Sequence, residues 1–102
     1  MASRLNLHEE LCEILGNRNV YFQPPESVKM VYPAIRYYRS GVDVKRADDR
    51  IYNTTNRYEV IVMDRDPDSD TADRILAHFQ MCSLDRFFTA ENLNHTVLTL
   101  YY

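Results

Sequence analysis

Glycine and cysteine are scarce in this chain, and tryptophan is absent. Only Gly16 and Gly41 occur among its 102 residues. Because phosphate-binding loops need several glycines to bring backbone amides close to a ligand, this scarcity excludes Rossmann and P-loop sites. The two cysteines, Cys12 and Cys82, are too few and too far apart to indicate a disulfide framework. We expect two reduced thiols that pack like small hydrophobic side chains.

Long hydrophobic runs and an excess of basic residues are missing as well. No stretch approaches the roughly 18 apolar residues that a membrane helix needs, and the first ten residues lack the apolar core of a signal peptide. We therefore expect a soluble protein that is not exported. Twelve basic and 15 acidic residues give a net charge of −3. That balance argues against a dedicated nucleic-acid-binding protein, and the length predicts one domain over residues 1–102.

Two segments show the periodicity of amphipathic helices. Leu7, Leu11, Ile14 and Leu15 form an apolar stripe that ends at Gly16, which predicts a helix over residues 3–15. A second stripe contains Ala72, Ile75, Leu76 and Phe79. Asp66 and Pro67 precede it as a typical cap and first helical residue, so we expect the second helix over residues 67–79.

Four strands and one further short segment complete the prediction. Apolar alternation indicates strands over residues 28–39, 57–63, 82–89 and 94–101, while residues 17–23 form at most a brief edge strand. The charged residues 43–56 are expected to connect the first two strands of a long hairpin. The order α-β-β-α-β-β predicts an α+β two-layer sandwich, with two helices on one face of a mostly antiparallel sheet.

The alternating aspartates Asp64, Asp66, Asp68 and Asp70, followed by Asp73, resemble the start of a calcium-binding loop. The glycine position of such a loop is Ser69 and its twelfth ligand position is Ile75, so the match breaks down. Acidic residues also collect before a helix because they offset its dipole. We favour this second interpretation, although the sequence leaves cation binding open.

Catalysis has little support in the residue pattern. The three histidines lie on separate predicted elements and lack the spacing of a helical zinc site. Nothing around Cys82 favours a thiolate nucleophile, and a domain of this size rarely encloses a substrate cleft. We therefore expect a protein that is not an enzyme, with no catalytic, cofactor-binding or metal-binding residues.

Basic and aromatic side chains are interleaved along the first hairpin. This combination suits a solvated hairpin, a protein contact surface or, less well because acids interrupt it, a nucleic-acid surface. The eight tyrosines favour protein contacts, since tyrosine is enriched at interfaces. The candidate contact residues are Arg36, Tyr38, Arg39, Lys45, Arg46, Arg50, Tyr52, Arg57, Tyr101 and Tyr102.

Three features of the sequence point to one family: the element order, the segment Tyr-Glu-Val-Ile-Val-Met-Asp-Arg-Asp-Pro-Asp-Ser-Asp (residues 58–70) and the segment Asn-Leu-Asn-His-Thr-Val-Leu-Thr-Leu-Tyr-Tyr (residues 92–102). Together they resemble tail terminator and tail-completion (neck) proteins of long-tailed bacteriophages. The resemblance covers nearly the whole chain. It implies a structural protein of the virion tail or neck, assembled in the host cytoplasm, that forms a ring of six copies on the tail tube.

The same resemblance implies a set of partners. The ring stops polymerisation of the tail tube protein and meets the head connector or adaptor, while DNA passes through its lumen without specific binding. No cofactor and no membrane contact are implied. A head-completion or connector-adaptor protein of the neck is the alternative, and a small nucleic-acid-binding α+β module is a more remote one.

Overall fold

The computed structural model describes residues 4–25, 28–47 and 50–102, with the backbone alone for residues 43–47 and 50–54. Within these ranges there are two helices, α1 (Arg4–Leu15) and α2 (Thr71–His78). The strands are β1 (Val20–Phe22), β2 (Ala34–Ala47), β3 (Arg50–Asp64), β4 (Cys82–Ala90) and β5 (Leu93–Tyr101). Ser3, the predicted start of the first helix, lies outside the described residues.

The five strands form one sheet in the order β1-β2-β3-β5-β4. All neighbouring pairs are antiparallel except β1 and β2, which run parallel. The expected α+β fold and its long first hairpin are confirmed. Both helices contact the sheet and one another, and their shared core contains Leu11, Tyr37, Val60, Ile75 and Leu98. None of the described helices is long and apolar enough to cross a membrane.

The segment before β2 is not a strand. The prediction of a strand over residues 28–39 is wrong for residues 28–33, because the strand begins only at Ala34. Pro33 follows a cis peptide bond and has no amide to donate to a ladder. Met30 and Tyr32 instead pack against Ala34, Ile61 and neighbouring residues, on the sheet face that carries no helix. This outer face therefore has a small core of its own.

The second helix is shorter than predicted, because it begins at Thr71 and not at Pro67. The backbone amides of Asp66 and Asp68 donate to the carboxylates of Asp64 and Asp66, each over 2.9 Å. Such local side-chain bonds compete with helix formation. Asp70 holds the N-cap position but makes no capping bond through its side chain. The acidic segment is therefore a series of turns that leads into α2.

Residues 43–47 and 50–56 belong to strands and not to a loop. The strands β2 and β3 stay paired from Val42 opposite Asn56 to Ala47 opposite Arg50. Val, Ile, Tyr and Thr are frequent in this segment, and these residues favour extended backbone. The prediction of a connecting segment gave more weight to the charged residues than to these strand-forming ones. We call residues 41–47 and 50–56 the arm, and Asp48 and Asp49 lie outside the described residues.

Candidate subunit interface

The arm extends beyond the rest of the sheet. Strand β5 pairs with β3 only from Arg57 to Asp64, and β1 pairs with β2 only from Ile35 to Tyr37. Beyond these points β2 and β3 pair with each other alone in the described structure. The resulting molecule is elongated, with principal extents of 51 × 27 × 23 Å. The arm therefore presents two strand edges that no other described strand covers.

The root of the arm is held by Arg57. Its Nε donates to the Ser40 hydroxyl over 3.3 Å, and its terminal nitrogen donates to the Ser40 carbonyl over 3.1 Å. The Ser40 hydroxyl donates in turn to the carbonyl of Arg57. A register shift separates the pairs formed by Arg39 and Gly41, and the guanidinium fills the space beside Gly41. These contacts fix where the arm leaves the sheet.

The predicted contact residues are divided between the two faces of the sheet. Arg39 lies on the helix-bearing side, exposed, with its guanidinium 5.9 Å from the centroid of the Tyr58 ring. Arg36 and Tyr38 lie on the outer face, where the Tyr38 hydroxyl donates to Glu59. The Nε of Arg36 is shielded from solvent and has no hydrogen-bond partner among the described residues.

Four of the predicted contact residues lie on the arm. Lys45, Arg46 and Arg50 have partners in its paired backbone, and Tyr52 lies in β3 at the second register shift, while the side chains of all four lie outside the described part of the structure. Val42, which was not predicted, is half-exposed near the arm root. The segment 36–57 contains six basic and three acidic residues, and its positive excess comes from Arg36, Arg39 and Arg57, because residues 41–56 contain three of each sign.

The two tyrosines at positions 101 and 102 have different environments. Tyr101 is partly buried, opposite Arg57. The Tyr102 hydroxyl donates to Glu10 of α1, and its ring packs edge-on against Phe79. Burial, together with the bond to Glu10, raises the pKa of Tyr102 to about 12. Its contacts thus connect the last strand with α1 inside one chain.

A cleft lies at the opposite end of the molecule from the arm. It has a volume of about 600 Å³ and opens between residues 67–73 and the hairpin formed by β4 and β5. Phe87 and Phe88 line it and remain 70% and 40% exposed. Phe88 stacks on His95 with 4.6 Å between ring centroids. The carboxylates of Asp68 and Asp73 stand at its margin.

Sequence reasoning missed this cleft, although a signal was present. Strand side chains alternate between faces, so the adjacent Phe87 and Phe88 cannot both enter one core. The acidic turn segment was noticed, but its distance from β4 in the sequence gave no sign that the two segments border one cleft. Among the described residues, no group of His, Cys, Asp or Glu is arranged to hold a metal ion.

The two thiols have the character of packed side chains. Burial raises the pKa of Cys82 to about 11, and it also raises the pKa of Cys12. Both cysteines are free in the structure. The thiolate form, which is the nucleophile, is therefore rare at neutral pH.

No protein-family model matches this chain, and a search of the curated proteins finds no match either.

Proposed function

We propose that the protein is a structural virion subunit, a tail terminator that forms a ring at the head-proximal end of a phage tail tube. The ring ends tube polymerisation and joins the tail to the head connector. The observation that carries the proposal is the arm, a two-stranded ribbon that extends past the other strands. The sequence resemblance supports the same function.

An arm of this kind favours assembly for a physical reason. A two-stranded ribbon on its own is only marginally stable in water, and uncovered strand edges readily pair with another chain. Val42 near the arm root is 51% exposed, which adds apolar surface to those edges. A neighbouring subunit that covers the arm would stabilise it and bury this surface.

The distribution of charge supports a ring over a symmetric dimer. A ring needs head-to-tail contacts, in which two different surfaces of each copy meet. Residues 36–57 hold three more basic than acidic residues, an excess that comes from Arg36, Arg39 and Arg57 near the arm root, whereas residues 64–74 contain five aspartates and two arginines. Each copy thus has a basic and an acidic surface, which suits contacts between unlike surfaces, and six copies is the number that the resemblance implies.

The remaining partners follow from the position of such a ring. It would contact the tube protein below and the connector or adaptor above, with DNA passing through the lumen. A lumen must not hold the phosphate backbone tightly, because extensive neutralisation of phosphates by Lys and Arg gives strong binding. The net charge of −3 per subunit is compatible with free passage of DNA.

Removal of the gene from a phage that encodes this protein tests the proposal. Without a terminator the tube protein should continue to polymerise, so electron microscopy should show tubes of uncontrolled length that lack heads. Expression of the wild-type chain from a plasmid should restore tails of uniform length.

Other outcomes would overturn the proposal. Tails of normal length beside separate, DNA-filled heads would indicate a head-completion adaptor. Infectious particles of normal form would show that the protein has no part in the virion. A monomer that shifts DNA in a gel at physiological salt, together with normal particles, would indicate a nucleic-acid-binding module.

A further inference from the structure

The cleft beside the β4–β5 hairpin combines exposed aromatic surface with negative charge. Phe87 is 70% exposed, although it lies in the middle of a strand that pairs with β5. Asp68 and Asp73 border the same cleft, and no Lys or Arg is among the described residues that line it. An occupant with both apolar and basic side chains would fit this surface, because aromatic rings and carboxylates both attract cations.

Residues 28–33, which we call the flanking segment, have this complementary chemistry in side chains that the structure describes. Val31 is 63% exposed. Lys29 is also exposed, and it forms no ion pair with another described residue. Arg36 and Arg39 follow in β2, and residues 28–39 contain no acidic residue. The flanking segment therefore offers a free positive charge and exposed apolar surface within a basic stretch of the chain.

The remaining side chains of the flanking segment hold it in place. Met30 and Tyr32 pack on the outer face of the sheet, and in the sequence they alternate with the exposed Lys29 and Val31. The backbone amide of Val31 donates to the hydroxyl of Tyr21 in β1 over 3.3 Å. Because the segment is anchored in this way, its exposed side chains need little further ordering when they bind a partner.

The flanking segment lies away from the cleft of its own chain. It leads into β2, and both β3 and β5 separate β2 from β4. Three strand spacings of about 4.8 Å place β2 and β4 roughly 14 Å apart. The high exposure of Val31 also shows that this side chain does not fill the cleft. A flanking segment that occupies a cleft therefore belongs to another copy.

We propose that the flanking segment of one copy docks in the aromatic, acid-bordered cleft of the next copy. Val31 meets Phe87 in this contact. Lys29 lies against Asp68 and Asp73. Because the two surfaces differ, the contact is head-to-tail, and every copy in a closed ring uses both of them. This inference rests on the proposed function and adds a second contact to that of the arm, so that association needs both.

A photo-cross-linking amino acid at position 31 of the full-length chain tests the contact directly. Equal amounts of light and isotopically heavy chains are mixed, irradiated and digested, and the cross-linked peptides are identified by mass spectrometry. We expect position 31 to be joined to residues 67–73 or 87–96, in pairs that combine light and heavy chains. The same probe at Leu5, which is 65% exposed on α1, should give no such cross-link.

Two substitutions and their matched controls test the energetic contribution. Val31→Ser and Asp68→Lys should each weaken self-association about tenfold by light scattering, since each removes one half of the complementarity. Leu5→Ser and Glu13→Lys make similar chemical changes at exposed positions of α1 and should leave self-association unchanged. Circular dichroism of each chain shows whether the fold is retained.

An exchange of charge tests which two surfaces meet. The Lys29→Glu chain should associate as weakly alone as the Asp68→Lys chain does. A mixture of the two chains should recover association, because each contact in an alternating ring then joins opposite charges at positions 29 and 68. Recovery would also show that both variant chains are folded.

The outcomes separate this inference from the proposed function. Cross-links from position 31 to its own chain, to a different protein or to nothing would overturn the docking of a second copy. Normal self-association of both Val31→Ser and Asp68→Lys, or a mixture that fails to recover association, would overturn it too. If those variants still restore tails of uniform length, the terminator function stands and the ring closes through other surfaces.

Discussion

The hydroxyl of Tyr37 is a polar group at the centre of the contacts on the helix-bearing face. Its side chain is fully buried, yet its hydroxyl lies 2.8 Å from Nδ1 of His8 and accepts a bond from Arg4 over 3.3 Å. With His8 neutral, the hydroxyl donates to the histidine, so donor and acceptor capacities are both used. Phe22 and Tyr58 pack against the same ring. This arrangement ties the start of α1 to the centre of the sheet.

The pair formed by His8 and Tyr37 predicts a pH-dependent stability. Burial, with help from the charges of Arg4 and Arg18, lowers the pKa of His8 below 6.5. The unfolded chain therefore binds this proton more readily than the folded chain. The contribution to stability is complete above about pH 6.5 and is lost as the pH falls through the lowered pKa.

Thermal unfolding at pH 7.5 and pH 5.5 measures this effect. Between pH 7.5 and pH 5.5, the melting temperature of the wild-type chain should fall further than that of the His8→Gln chain, because glutamine carries no titratable proton. An equal decrease in both chains would show that other groups determine the acid sensitivity.

At the scale of elements, the junction between the sheet and the arm depends on one small residue. A Cβ atom at Gly41 would lie 2.5 Å from a terminal nitrogen of Arg57. The guanidinium is the end of a flexible side chain, so it can move, but the movement breaks at least one of its bonds to Ser40. We expect Gly41→Ala to destabilise the chain by about 0.5–1 kcal/mol, within the usual net contribution of one hydrogen bond.

A double-mutant cycle measured by urea unfolding tests this cause. If Gly41→Ala acts through Arg57, its cost should disappear when Arg57 is replaced by Ala. If Gly41→Ala destabilises the Arg57→Ala chain by the same amount, the effect arises from the backbone at the register shift beside Gly41.

Local sequence predicted the bounds of the two helices with different success. The stripe of Leu7, Leu11 and Leu15 placed α1 correctly, because helical periodicity and burial agree over three turns. Gly16 adopts the expected left-handed conformation, with φ of 86°. The start of α2 was predicted too early because side-chain bonds from Asp64 and Asp66 to the backbone stabilise turns there.

At the scale of the whole molecule, the fold divides into a body with a shared core and an arm whose described strands pair only with each other. The described core residues lie in the helices, at Phe79, in β1, in β2 and β3 next to the helices and in β5, and the partly buried Cys82 of β4 packs against them. Removal of the arm should therefore leave the body folded while it removes the surface that we propose for assembly.

A shortened chain tests this division. Residues 43–55 are replaced by Asn-Gly, which suits a two-residue turn between the paired positions Val42 and Asn56. We expect a folded monomer with a cooperative thermal transition, no self-association by light scattering and no restoration of uniform tails. A shortened chain that still associates or limits tail length would show that the arm is dispensable.

The sequence by itself determined the two helices, the mostly antiparallel sheet and the order of elements, because hydrophobic periodicity is a local property that burial then reinforces. It also placed basic and aromatic residues in the first hairpin. Tertiary structure alone decided that Met30 and Tyr32 pack on the outer face, that the charged segment pairs as an arm, and that Phe87 and Phe88 line one cleft with residues of the acidic turns. Each of these depends on contacts between residues far apart in the chain, whose free energy no local pattern contains.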